Sequence, residues 1–427
     1  MDQGERAVEG VEGLKVAIVG LGFVGLTSAL GFADKGFEVR GYDINAERAA
    51  KIKGGEVPFL EPGLDLALKR TIGGKFTISS SASNAAESAD GIFFCVGTPC
   101  GVDGKSDSSF LFSAIDSVMD AVDSECILVV KSTVPPGTMA KEVLPYVRSK
   151  GFNGSVTVNP EFLREGYCWQ DFVSPDRIVC GCEENDASAM KFFSKLYAPF
   201  DAPIHFISPN TAEFIKYLSN SLLASLISFS NEMALIAEAA GGINIAKAFR
   251  ILHEDKRLSG AGIRHYIYPG CGYGGYCLPK DTVALSAKAK ETGVVPHILD
   301  NVISLNDDMP RLSARKIERA AGTHEARIGI LGLSFKPNSD DVRDTPAAKI
   351  VACLLRDGYN KLYAYDPVAT EAFRAMYGFD ITYCESKEEV CNACDAVTVV
   401  TSWPEFQGIH KLFPKIKICD CRYWLEN

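Results

Sequence analysis

Short apolar runs recur along the chain, each flanked by turn residues and separated by stretches long enough for a helix. Residues 15–20, KVAIVG, open the series, and residues 38–42, 91–96, 127–131 and 155–159 continue it. A strand buried on both faces reads as continuously apolar rather than alternating, so these runs predict a parallel sheet covered by helices on both sides. Late in the chain the pattern returns. RIGILGL at 327–333 repeats the run at 15–22, and LYAYDP at 362–367 ends on Asp366 much as the second run ends on Asp43. An altered internal repeat of a mononucleotide-binding half is expected there. Between the two copies, residues 211–240 contain neither glycine nor proline and stop at Gly241 and Gly242. Phe214, Leu218, Leu222, Leu226 and Phe229 keep a helical period, which predicts one long helix with a double-glycine stop.

Composition narrows the class. With 427 residues, 47% hydrophobic and 23% charged, the chain is long enough for two or three soluble domains with full cores. A formal net charge of -10 argues against non-specific nucleic-acid binding. Residues 1–13 are polar and acidic, without the apolar core of a signal peptide or the arginine and serine bias of a transit peptide, and are expected to be a disordered leader. The longest apolar runs are strand-sized or broken by serine and asparagine, so no membrane span and a cytoplasmic location are expected. The 14 cysteines are scattered through apolar segments, which fits a reducing compartment. Cys391, Cys394, Cys419 and Cys421 have the count for a zinc site, but the last two alternate along a strand and no glycine knuckle surrounds either pair, so no metal is expected.

The chemistry lies at the ends of the runs. GLGFVG at 20–25 follows a strand and opens a helix, the context in which Gly20, Gly22 and Gly25 make a dinucleotide-binding turn. Asp43 would accept from a ribose 2′-hydroxyl and repel a 2′-phosphate, favouring NAD; Arg48 nearby is either a solvated charge or a contact along the adenosine. CVGTPC at 95–100, KSTVPPGT at 131–138 and NPEFLREG at 159–166 place Thr98, Thr133, Glu161 and Glu165 at strand carboxyl ends, toward the nicotinamide. On the long helix Lys216 and Asn220 are four apart and share a face, read as an active-site wall. GYGGYCLPKDT at 272–282 sets Cys277 among glycines that let backbone approach a ligand. Lys280, or a helix beginning near Pro279, would favour its thiolate as a nucleophile, with Asp281 beside it. In the second copy the first loop is stretched to FKPNSDDVRDTPA, bringing in Lys336 and Arg343, which suit the phosphates of a different nucleotide.

In this order the motifs resemble the nucleotide-sugar 6-dehydrogenases, the UDP-glucose/GDP-mannose dehydrogenase family, over nearly the whole chain from Leu14 to Arg422. The resemblance implies an α/β protein of two Rossmann-like doubly wound domains, for NAD and for UDP. They would be joined by a long central helix and a helical middle domain, with the active site between them. The expected divisions are 14–210, 211–320 and 321–427, and the expected assembly is a homodimer. The implied activity is the four-electron oxidation of a nucleotide sugar, UDP-glucose first, with GDP-mannose or a UDP-N-acetylhexosamine as alternatives. A two-electron hydroxyacid dehydrogenase and a non-catalytic NAD-binding redox sensor are the readings outside the family. Roles carried over by matching motif make Cys277 the nucleophile, Lys216 the stabiliser of oxyanions and Glu161 a general acid or base. Asp281, Asn220 and Thr133 hold a catalytic water. Val24 joins the cofactor turn, and Lys280 and Arg343 reach the cofactor. The sugar is wrapped by Phe162, Leu163, Arg164 and Glu165, and a second substrate loop comprises Tyr266, Ile267, Tyr268, Pro269, Gly270 and Gly274. Lys336 serves the nucleotide side, and Arg422 is a further substrate contact. The stretch between Arg257 and Tyr266 is longer than the family's, leaving open whether Arg257 or Arg264 is the substrate arginine.

Overall fold

The computed structural model describes residues 13–258 and 262–425. The expected leader, Gly13 apart, and the middle of the long stretch before Tyr266 lie outside the described residues. The chain divides into two compact units, residues 1–218 and 219–427.

The first unit holds an eight-stranded sheet: β1 (Lys15–Val19), β2 (Glu38–Tyr42), β3 (Phe76–Ile78), β4 (Gly91–Phe94), β5 (Ile127–Val130), β6 (Val156–Val158), β7 (Ile178–Gly181) and β8 (Ile204–Ile207). Their order is β3-β2-β1-β4-β5-β6-β7-β8, the doubly wound arrangement extended by two strands. β1 to β6 are parallel; β7 turns antiparallel at the Val158–Gly181 bridge, and β8 follows β7 in parallel. The continuously apolar strands feed two cores, because successive side chains leave opposite faces. Val16 and Ile18 enter one core and Ala17 and Val19 the other. The helix Phe23–Asp34 crosses the first face. There Phe32 meets the rings of Phe37, Phe93, Phe172, Tyr197 and Phe200 at centroid distances from 5.3 to 6.5 Å.

The second unit contains β9 (Ile328–Leu331), β10 (Leu362–Tyr365), β11 (Thr382–Tyr383), β12 (Ala396–Val399) and β13 (Lys417–Asp420). They form an all-parallel sheet in the order β11-β10-β9-β12-β13, the same first-half order as in the first unit. Helices Cys277–Glu291 and His297–Ala321 precede it. Cys391 and Cys394 belong to one core and Cys419 and Cys421 to the core on the other face of the sheet, so the four thiols do not gather.

The long helix runs from Pro209 to Ala240. Its apolar period faces the opposite way from an ordinary core helix: Phe214, Leu218, Leu222, Phe229 and Ile236 are between 44% and 55% exposed. The polar residues Glu213, Lys216, Asn220, Ser228 and Asn231 are buried. By length and mean hydropathy this is the one helix, among the described residues, long and apolar enough to cross a membrane. Its buried polar groups are bonded to protein partners, while its apolar row faces outward.

Candidate active site

In the first unit the dinucleotide turn is built by close approach. Gly20 has φ +93°, and a Cβ there would lie 2.6 Å from the Cys95 carbonyl oxygen; one on Gly25 would lie 1.8 Å from the Gly20 carbonyl oxygen. At Gly22 a Cβ would meet no atom within 4 Å, so that backbone is open to a ligand. Gly22 also caps the helix Phe23–Asp34 without any side-chain hydrogen bond, and Val24 lies in its first turn, where N–H groups point at a bound anion. Asp43, buried at the end of β2, accepts from Leu21 N at 2.7 Å and Asn45 N at 2.8 Å, and Arg48 Nη1 donates to it at 3.1 Å. Arg48 is therefore tied to this carboxylate, which keeps lone-pair capacity for a hydroxyl. The residues fit a dinucleotide lacking a 2′-phosphate.

The adjacent ends of β4, β5 and β6 carry the next groups. Thr98 is buried and its Oγ1 donates to the Thr133 carbonyl at 2.7 Å. Glu161 is gripped from both sides, by Lys216 Nζ on Oε1 at 2.9 Å and by Leu163 N on Oε2 at 2.5 Å. Both side chains of that ion pair are almost fully buried, at 5% and 7% exposure. Lys216 also lies 5.7 Å from the centre of the Phe162 ring, which Arg177 covers at 4.1 Å. Arg164 is held by Asp171 through its backbone and guanidinium, and Glu165 follows in the same loop. Behind them Lys131 is buried against Asn159 at 2.9 Å, and burial pushes its ammonium below the usual lysine range.

Two buried carboxylates with no signal in the sequence pattern hold these loops. Glu61 accepts from Gly166 N at 2.7 Å and Cys168 N at 2.8 Å, fixing the end of the 159–166 loop, and burial raises its pKa. Glu213 accepts from Gly137 N and Met139 N, both at 2.6 Å, fixing the end of the 131–138 loop. Their partners are backbone groups, so no residue type at the other end could have announced them.

In the second unit Cys277 is the first residue of its helix, two residues earlier than expected. It is the one exposed cysteine among the described residues. A helix N-terminus favours negative charge on its sulfur. Behind it lies a buried chain: Lys280 Nζ to Asp281 Oδ1 at 2.6 Å, and Asn220 Nδ2 to Asp281 Oδ2 at 2.6 Å. Burial pushes the Lys280 ammonium down, but Asp281 and Cys277 hold it above the ordinary lysine value.

The glycines around the cysteine serve packing, where the sequence suggested approach to a ligand. A Cβ on Gly274 would lie 2.4 Å from the Asp344 carbonyl oxygen, and one on Gly275 (φ +79°) 2.8 Å from the Phe335 ring. Gly275 N donates to the Arg343 carbonyl at 3.1 Å. The cysteine loop is thus seated on the stretched loop of the second repeat. Arg343 is clamped by Asp341, at 2.9 and 2.6 Å, with its guanidinium 4.7 Å from the Tyr276 ring centre. Lys336 lies over Phe335 at 5.2 Å.

The loop from Tyr266 to Tyr273 is tied down by two asparagines that sequence reasoning missed. Asn231 Oδ1 accepts from Gly270 N at 2.7 Å, and Asn306 accepts from Tyr273 N at 2.7 Å while donating to its carbonyl at 3.1 Å. A Cβ on Gly270 would lie 2.1 Å from Arg422 Nη1, so that guanidinium lies against the loop. Ile267 is buried, its carbonyl meeting His253 Nε2 at 2.7 Å; Tyr268 donates to the Tyr423 carbonyl at 2.5 Å. Tyr266 and Pro269 flank this pair in the loop. Arg257 pairs with Asp255 and stands 89% exposed, while Arg264 Nε donates to the Leu258 carbonyl at 3.3 Å.

The second repeat also departs from the first at the end of its second strand. Asp366 matches Asp43, but Oδ2 is taken by Leu333 N, Ser334 N, Ser334 Oγ and Trp403 Nε1, and Oδ1 by Val368 N and Ala369 N. Six donors saturate it, leaving nothing for a ribose. This copy is not a second NAD site.

Models of the UDP-glucose/GDP-mannose dehydrogenase family match the chain in three parts: the NAD binding domain at residues 14–201, the central domain at 210–308 and the UDP binding domain at 329–427. Among curated proteins, the UDP-glucose 6-dehydrogenase of Rhizobium meliloti (strain 1021) is 35% identical over 406 residues, covering 93% of this chain and 91% of the relative. That of Pseudomonas aeruginosa is 36% identical over 411 residues, covering 92% and 89%. A solved UDP-glucose dehydrogenase from the hyperthermophilic archaeon Pyrobaculum islandicum superposes with a TM-score of 0.90 at 36% identity, covering 97% of this chain and 95% of that one.

Proposed function

Because the chain belongs to the UDP-glucose/GDP-mannose dehydrogenase family, we propose that it oxidises C6 of UDP-glucose to the carboxylate of UDP-glucuronate, with Cys277 as covalent nucleophile. The observation that carries the reading is the cysteine itself, exposed at the first position of a helix and backed by the buried Lys280–Asp281–Asn220 chain.

Oxidising a primary alcohol to an acid removes four electrons in two steps, and the aldehyde between them must not escape. NAD, which Gly20, Gly22, Gly25 and Asp43 would hold, would supply the hydride acceptor for each step. The chain's own residues do the rest. The Cys277 thiolate adds to the aldehyde carbon to give a thiohemiacetal, whose oxyanion the Lys216 ammonium stabilises. Loss of the second hydride leaves a thioester. Water, held by Thr133, Asn220 and Asp281, attacks it and releases the acid and the free thiol. Glu161 and Asp281, both buried, carry the protons released. The first substrate loop, from Phe162 to Glu165, encloses the sugar, and Lys336 and Arg422 serve the nucleotide.

The long helix supports a homodimer as the assembly. An exposed apolar row of Phe214, Leu218, Leu222, Phe229 and Ile236 is the kind of surface that marks a protein–protein interface. It lies along a single 32-residue helix, which suits the same helix of a second copy related by two-fold symmetry.

The test is the intact mass of enzyme quenched during turnover of UDP-glucose and NAD, with the ratio of NADH to acid. Two NADH per acid and an acyl adduct on the wild-type protein are expected. Cys277→Ser should give a near-stoichiometric NADH burst with a trapped ester, which hydrolyses far more slowly than a thioester. Cys277→Ala should lose four-electron turnover while binding NAD normally. Normal turnover by the alanine variant, or one NADH per product, would sink the covalent scheme.

A further inference from the structure

We propose that Glu213 is a positioning residue for thioester hydrolysis, acting through the loop that carries Thr133. The inference rests on the reading of Thr133 as a holder of the hydrolytic water.

The loop leaves β5 at Lys131 and is fastened at three points. Ser132 is bound to the end of β4, donating to the Val96 carbonyl at 2.7 Å and accepting from Val96 N at 3.0 Å. The Thr133 carbonyl accepts from Thr98 Oγ1 at 2.7 Å. At the far end the Glu213 carboxylate, 2% exposed, takes Gly137 N on one oxygen and Met139 N on the other, each at 2.6 Å. Between Thr133 and that anchor stand Pro135 and Pro136, whose φ angles are fixed by their rings. Thr138 N closes a turn onto the Pro135 carbonyl at 3.1 Å. A rigid segment of this kind transmits the position of Gly137 back to Thr133.

Glu213 lies three residues before Lys216, so one turn of the long helix bears on both strand-end loops. Lys216 grips Glu161 in the 159–166 loop, and Glu213 grips the 131–138 loop. The carboxylate is the right chemistry for its task. It offers two acceptor oxygens to two buried N–H donors that would otherwise be unpaired, and a charged acceptor makes both bonds short. An amide of the same shape presents an NH₂ group where one of those donors needs an acceptor. The loop end must then shift, and displacements of about 1 Å in a catalytic group cost on the order of 10²-fold in rate.

The experiment is rapid-mix kinetics of Glu213→Gln, with intact-mass analysis and Thr133→Ala as reference. Glu213→Gln is expected to release the first two NADH in a burst near wild-type speed and then turn over about 10- to 100-fold more slowly, with acyl-enzyme on Cys277. KM for UDP-glucose and NAD should stay within about twofold. A purely structural role would lower burst and steady-state rate together, and that result, or wild-type turnover, overturns the proposal. If Thr133→Ala accumulates acyl-enzyme and Glu213→Gln does not, the proposal alone falls; if Thr133→Ala does not accumulate it, the reading of Thr133 falls and takes the proposal with it. Should Glu213→Gln not fold, Glu213→Asp keeps both acceptor oxygens while withdrawing them by one methylene, and the same burst decides.

Discussion

Replacing Lys216 with methionine separates two things that one side chain does. The residue's ammonium lies 2.9 Å from Glu161 with both side chains about 95% buried. Two unit charges at ~4 Å, in an effective dielectric near 20, attract by about 4 kcal/mol. Removing one partner of a buried pair typically costs about 3–5 kcal/mol, because the remaining charge is stranded. For a unit of this size each kcal/mol moves the midpoint by about 2–4 °C, so Lys216→Met should melt roughly 6–20 °C below wild type. In the double variant Lys216→Met with Glu161→Gln no charge is stranded, and most of the lost stability should return. Activity should behave differently. Loss of an oxyanion stabiliser costs about 10²- to 10³-fold in kcat, and the double variant should recover none of it. Scanning calorimetry of the four proteins in the cycle, with kcat from NADH formation, reads both effects. A single variant melting within about 2 °C of wild type, or a double variant no more stable than the single, refutes the account of the buried pair.

Two further outcomes are expected. Asp43→Ala removes the acceptor that faces a ribose and that also holds Leu21 N and Asn45 N. The KM for NAD should rise and discrimination against NADP shrink; a wild-type protein that prefers NADP contradicts this assignment. Leu222→Glu puts a charge into the exposed apolar row of the long helix, and sedimentation velocity should show a shift from dimer toward monomer. A wild-type protein that sediments as a monomer at micromolar concentration removes the assembly proposed here.

Much of the fold was legible because burial on both faces leaves a plain trace. KVAIVG and RIGILGL are apolar at consecutive positions, and both became central parallel strands. The turn glycines were legible too: Gly25 answers to the Gly20 carbonyl inside the motif, although the Cys95 carbonyl that crowds Gly20 comes from another strand end. Three features were hidden. β7 and β8 extend the first sheet with one reversed pairing, which short apolar runs cannot encode. The long helix kept a clear apolar period, yet period alone does not say which face is covered, and here Glu213, Lys216 and Asn220 are the buried side. Finally, Glu61, Glu213, Asn231 and Asn306 fasten site loops through backbone N–H and C=O groups, which every residue has. The glycines around Cys277 were visible, but their reason was not: Gly274 and Gly275 make room for Asp344 and Phe335, some sixty to seventy residues further on.

The inverted polarity of the long helix also sets a timetable for synthesis. Asn220 needs Asp281, 61 residues later, and Ser228 needs the carbonyl of Val302, 74 residues later. At roughly 5–20 residues per second the ribosome takes on the order of 3–15 s to make those partners. During that interval Glu213 and Lys216 already have their partners from earlier in the chain, but from Asn220 onward the helix has neither these polar groups paired nor its apolar face covered. It is the part of the nascent chain for which protection by a chaperone matters most, and slowing translation just after it should lower the yield of folded protein more than the same delay placed after β8.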